Sequence, residues 1–248
     1  MLLSYKPSKQ AGEERNIVEP EFFVEHEIKP GTQGDLFSMT RNDRRSLMIY
    51  NFLVETYETE RIKTLSVWAM FQDEDLPIRP HKEDLRGRSV HEQLVHQCVS
   101  ENLWFTTMLR IDVKAPPLPG QESRQKFIKR YAEDSGKRLA ALEEKGQVWW
   151  QEIVSFFEVL RSRAWTMTRR LTHTAHHRGQ LTELLRMLKR DLHSTYGPTA
   201  DTGGLMQNHA PTIYAHESIE QLLETKSSGS AKTPLPGPGD KPPTERPD

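Results

Sequence analysis

Apolar side chains recur at helical spacing in four long stretches of the chain. Between about Thr40 and Phe71, the residues Leu47, Tyr50, Leu53, Val54, Tyr57, Ile62, Leu65, Trp68 and Ala69 fall near one face. A second stretch runs to about Arg110 with Val90, Leu94, Cys98, Phe105 and Met108 on one side. Its start is marked by Ser89 and Glu92, a Ser-x-x-Glu capping box in which each side chain satisfies a backbone N–H of the other end. The third stretch, Ser123 to Lys145, carries Phe127, Ile128, Tyr131, Leu139 and Leu142. The fourth, from about Ser162 to Arg190, carries Leu181, Leu184, Leu185 and Leu188 at i, i+3, i+4 and i+7, with Gly179 its one helix breaker from Trp165 onward. No stretch alternates apolar and polar residues as a half-buried strand does. The pattern predicts an all-α fold, a four-helix bundle.

The connecting segments set the organisation. Residues 1–34 are polar and broken by Pro7, Pro20, Pro30, Gly31 and Gly34, which predicts an irregular N-terminal arm before a bundle spanning 35–192. Residues 73–88 form a charged link with Pro77 and Pro80, and the run Ala-Pro-Pro-Leu-Pro-Gly over 115–120 is a firm break. Residues 146–158 hold Trp149, Trp150, Phe156 and Phe157, an aromatic connection expected to pack across one end of the bundle rather than to serve nucleic acid as a stacking platform. A C-terminal extension over 193–226, with a short helix near 216–224, is expected to pack on the bundle. The Pro/Gly-rich tail over 227–248 is expected to be disordered, since it offers almost no apolar surface to bury.

Charge and composition narrow the function. A net charge of −1 and a pI near 6.8 give no overall electrostatic case for nucleic acid. The single cysteine, Cys98, rules out an intramolecular disulfide and reads as a small buried residue. Neither a signal peptide nor a membrane span is visible, so the expected location is the cytoplasm.

The candidate chemistry lies in the fourth helix, in Leu171-Thr-His-Thr-Ala-His-His-Arg-Gly-Gln180. At 100° per residue, His173 and His177 lie beside the leucine stripe one turn apart, His176 falls further round and Arg178 lies on another face. Two imidazoles at i, i+4 can share one metal ion; two core-edge histidines satisfied by hydrogen bonds meet the same spacing. Thr174 stands where a zincin has its general-base Glu, so the pair is not a metalloprotease motif and a further ligand must come from elsewhere.

With four helices and a His-x-x-x-His pair followed by Arg-Gly-Gln, here His173, His177, Arg178, Gly179 and Gln180, the chain resembles the DinB/YfiT-like family of metalloenzymes. A second similarity lies in the second helix, at Val90, His96, Glu101 and Trp104. Together they cover about residues 40–190. The resemblance implies a four-helix bundle, often dimeric, with a divalent metal held by His96, His173 and His177. It also implies a small-molecule substrate, since the family includes thiol S-transferases that use low-molecular-weight thiols and a thiol-dependent isomerase. The wheel of the second helix places His91, not His96, nearest the Leu94–Cys98–Phe105 stripe, so His91 remains an alternative to His96.

Three imidazoles around zinc, or around nickel or iron, leave an open position for water or substrate, the arrangement of a catalytic site. Each ligating ring needs an acceptor on its other nitrogen, for which Glu92 and Glu101 are candidates, and Gln180 is expected to line the cavity. Arg178 reads as a solvated or salt-bridged side chain before a substrate anchor, and Gly179 as a point of close approach. Arg161, Arg163, Arg169 and Arg170 read as a solvated basic face. Two functions compete: a metal-dependent enzyme catalysing thiol transfer or hydrolysis, and a non-catalytic metal-binding protein acting in sensing or partner recruitment. A closed site with a fourth ligand, such as His91 or His209, would favour the second.

Overall fold

The computed structural model describes residues 49–118, 120–224 and 232–238. The expected N-terminal arm over 1–34, the first residues of the opening helix and most of the tail lie outside the described residues. The chain forms helix α1 (Asn51–Met70), α2 (Val90–Thr107) and α3 (Arg124–Glu143). The short α4 (Gln147–Gln151) and two strands, β1 (Ile153–Phe156) and β2 (Val159–Ser162), lead into α5 (Arg163–Met187), and α6 (Ile219–Glu224) closes the order.

Serines start three of the long helices. Ser89 Oγ accepts from Glu92 N at 3.2 Å while Glu92 Oε2 accepts from Ser89 N at 2.7 Å, which is the capping box read from the sequence. Ser123 accepts from Lys126 N, and Ser162 from Trp165 N, by the same logic. Both α1 and α2 pack against α3 and α5, so these four long helices make the bundle, and α6 lies on α1 and α3. Among the described residues no helix is long and apolar enough to cross a membrane.

The core is divided. One apolar cluster joins Leu65, Trp68, Leu94, Phe127, Leu181 and Leu185, and a second joins Leu53, Tyr57, Phe105, Leu142, Trp150 and Met167. Between them each long helix places buried polar side chains at the same height: Glu60, Arg61 and Thr64 on α1, Gln97, Ser100 and Glu101 on α2, Ser135 and Arg138 on α3, and Arg170, Thr174, His177 and Arg178 on α5. Groups so buried must be paired to be tolerated, and Glu101 is the hub. Its carboxylate accepts from Tyr57 Oη (2.6 Å), Tyr131 Oη (2.8 Å), Arg138 Nη1 (3.3 Å) and Arg170 Nη2 (3.2 Å), so it ties all four long helices together. Burial pushes the Glu101 carboxyl upward, but the Arg170 and Arg138 guanidinia and the two phenols outweigh it and hold it below the usual range. A second buried pair at this height joins Arg178 to Glu60.

Two segments differ from the sequence expectation. The aromatic connection is a short helix and an antiparallel hairpin in which Ile153 faces Ser162 and Phe156 faces Val159. Its two-residue link has Phe157 at φ +52°, where glycine or asparagine is the ordinary choice, so no turn signal marks the hairpin. Trp150 is buried in the core, whereas Phe157 is mostly exposed. Residues 232–238, within the stretch expected to be disordered, run extended against the C-terminal extension. Thr233 N donates to Ala215 O at 3.1 Å, Gly237 N donates to Asp201 O at 3.1 Å, and the buried His193 donates through Nε2 to Thr233 O at 2.8 Å. Backbone hydrogen bonds hold this segment, a term that composition does not carry.

Candidate metal centre

The groove between α2 and α5 brings His96, His173 and His177 together, each offering one ring nitrogen within 4.8 Å of the others. His173 and His177 are one turn apart on α5, and their Nε2 atoms approach to 3.2 Å. His96 reaches them from α2, its ring centroid 5.5 Å from that of His173 and 4.6 Å from that of His177. Val99 and Leu103, which share the flank of His96, are about half exposed. That flank faces outward, whereas the Leu94 side of α2 faces the core. The trio therefore sits at the edge of the polar layer, with His177 buried and the other two rings half-buried. His91 stands apart, edge-on to Phe127 at 5.3 Å and 3.9 Å from the Glu122 carboxylate.

Hydrogen bonds order the rings. Arg170 Nη1 lies 3.2 Å from His173 Nδ1, and a guanidinium has only donors, so Nδ1 accepts and the neutral ring carries its proton on Nε2. That Nε2–H meets His177 Nε2, and His177 Nδ1–H meets Gln180 Oε1 at 2.9 Å. Gln180 Oε1 also accepts from Gln93 Nε2 at 2.9 Å. Trp104 stacks on His173, with centroids 5.6 Å apart and planes 20° from parallel, and Phe156 of the hairpin meets Trp104 edge-on. Burial depresses all three imidazoles. His173 falls to about 3 through burial and the Arg170 charge, His177 to about 4 through burial and the nearby His96, and His96 falls through burial and the charge of Arg88. At neutral pH all three rings are neutral and carry lone pairs.

The donor set fits a divalent ion. The 3.2 Å between the Nε2 atoms of His173 and His177 is close to the edge of a tetrahedron around a metal at about 2.0–2.1 Å. Gln180 holds the far nitrogen of His177 as an outer acceptor should. Arg170 is the one opposing feature, because a ring ligating through Nε2 presents its Nδ1–H to a donor.

Several side chains have roles other than those expected. Glu92 caps α2 and pairs with Arg79 instead of meeting a histidine. Glu101 touches no imidazole and reaches His173 only through Arg170. The supposed solvated basic face is split, since Arg163 and Arg170 are buried. Arg178 is the ion-paired member of the alternatives, bound to Glu60. Gly179 makes no close approach, for a Cβ built there meets nothing within 4 Å. Burial and the Glu101 charge push the Cys98 thiol up, so it stays protonated.

Helices that carry a histidine trio at mid-height of a bundle define the class of protein. The model of the DinB family matches residues 44–203, and the chain belongs to that family. Among solved structures, it is similar to a DinB-like protein from Bacillus cereus ATCC 10987, with a TM-score of 0.53 and 18% identity over 60% of this chain and 97% of that one. A DinB-like protein from Bacillus subtilis aligns with a TM-score of 0.47 and 15% identity over 56% of this chain and 94% of that one. At 18% identity the likeness to the Bacillus cereus protein is one of fold. No curated protein matches the chain.

Proposed function

We propose that the protein is a metal-dependent enzyme in which His96, His173 and His177 hold a divalent ion, zinc in the first place and nickel or iron as alternatives. Its reaction, on this reading, is transfer of a low-molecular-weight thiol or hydrolysis of a small substrate in the cytoplasm. The observation that carries it is the convergence of three neutral imidazoles with no fourth His, Cys, Asp or Glu in the group among the described residues. Three protein ligands leave a position for substrate, as catalytic sites do, whereas structural sites are closed. Neither His91 nor His209, the two residues that could have closed it, belongs to the group.

A bound divalent ion would act as a Lewis acid and lower the pKa of a coordinated thiol or water. The chain supplies the rest. Gln180 fixes the His177 ring, Trp104 covers one face of His173, and the half-exposed flank of His96 leaves the groove reachable from solvent.

Elemental analysis of the untagged protein, beside His96→Ala and His177→Ala, is the test. Near one equivalent of zinc, nickel or iron in the wild type, lost in both variants, is the expected result and would direct a screen for thiol transfer. No metal after reconstitution would sink the proposal.

A further inference from the structure

A cleft of about 290 Å³ opens beside the histidine trio, between the loop that leads into α2 and the second half of α5. Gln93 and Gln180 line it toward the trio, and Leu184 and Met187 give it an apolar side. The glutamines form the link to the trio, because the Gln180 oxygen that accepts from Gln93 also accepts from His177.

Two charged groups in this cleft lack partners. Arg88 and Glu183 both line it, and neither has an ion-pair or hydrogen-bond partner among the described residues. Gln93, only 4% exposed, closes the cleft toward the trio, with its Oε1 shielded from solvent. A simple anion such as phosphate would suit Arg88 but would be set against the Glu183 carboxylate. A simple cation would face Arg88. A ligand with both charges satisfies both groups.

We propose that this cleft is a binding site for a small zwitterion of amino-acid type, its carboxylate on Arg88 and its ammonium on Glu183. The aliphatic part lies along Leu184 and Met187, and the side chain points past Gln180 toward the histidines. That last direction rests on the metal-site reading above; the two charge contacts do not.

The test follows binding of S-methyl-L-cysteine to the full chain by amide NMR, on protein as purified and after treatment with EDTA. Saturable shifts at Arg88, Gln93 and Gln180 in both samples are expected. Affinity should fall at least about tenfold for Arg88→Gln, and by a like amount when the ligand lacks its carboxylate (S-methylcysteamine). The two losses should not add, and Arg88→Lys should restore part of the first. Because Arg88 is exposed, its substitution leaves the fold intact. Absence of saturable shifts at the cleft, or equal affinity of the wild type for the two ligands, would overturn the inference. Failure of the metal reading would appear separately, as missing metal in the elemental analysis.

Discussion

Glu101 reaches His173 through a single guanidinium: Arg170 lies 3.2 Å from the carboxylate on one side and 3.2 Å from the ring nitrogen on the other. The carboxylate that fixes the bundle thus also fixes a histidine of the site. The two demands conflict, because the donor that Glu101 needs is the wrong partner for the outer nitrogen of a ligating ring.

That conflict gives Arg170→Gln opposite effects on two measurements. Glu101 loses one of its two cations while still buried, so stability should fall by about 3–5 kcal/mol, read from urea unfolding. A glutamine oxygen can accept from His173 Nδ1–H, and a positive charge beside the proposed ion is gone. Metal affinity of the folded variant should therefore rise about tenfold, read by competition with a chelator. A weaker affinity would show that Arg170 supports the ligand and does not oppose it.

For Gln180 the sign on metal affinity is reversed, although stability again falls. It accepts from the buried His177 and Gln93, so Gln180→Ala strands two donors and should cost about 1–3 kcal/mol in urea unfolding. The same chelator competition should show a loss of about 10–100-fold in metal affinity. His91→Ala, away from the trio, serves as the control with unchanged affinity.

Gly179 lies inside α5, exposed, with open space where a side chain would go. Glycine costs a helix interior about 1 kcal/mol relative to alanine. Gly179→Ala should raise stability by about that amount in chemical denaturation. A loss would reveal a contact that the chain alone does not make.

Acid should weaken the EDTA-treated protein early. In the unfolded chain the imidazoles protonate near their ordinary pKa of 6.5, whereas in the folded protein His177 resists to about 4, His173 to about 3, and His96, His193 and His216 also lie low. Between these limits the unfolded state binds more protons, so stability declines as pH falls from about 6.5 toward 4. Urea midpoints at neutral pH and near pH 5 would check this, and a constant midpoint across that range would contradict it.

The periodicity of the leucines and the serine caps made the long helices legible, and the His173–His177 spacing placed two rings on one face. The pairing with His96 was not legible from the wheel, because His96 belongs to a flank that is buried only where α5 crosses it. Arg170 was hidden for a related reason. Within a run of four arginines nothing local distinguishes the two that turn inward, and the carboxylate that draws Arg170 in is 69 residues away. The hairpin was missed because Phe157–Glu158 lacks the turn residues that announce one, and residues 232–238 because backbone hydrogen bonding leaves no mark in composition.

The polar layer also forbids slippage. A helix displaced along its neighbours by one turn, about 5.4 Å, would carry Glu101 away from its four donors and into hydrocarbon. In a uniformly apolar bundle such a slip exchanges one set of methyl contacts for another. Here it strands charge on both sides of the joint. The helices consequently have one permitted phase, and the histidines of α2 and α5 meet at the same height whether or not an ion is present.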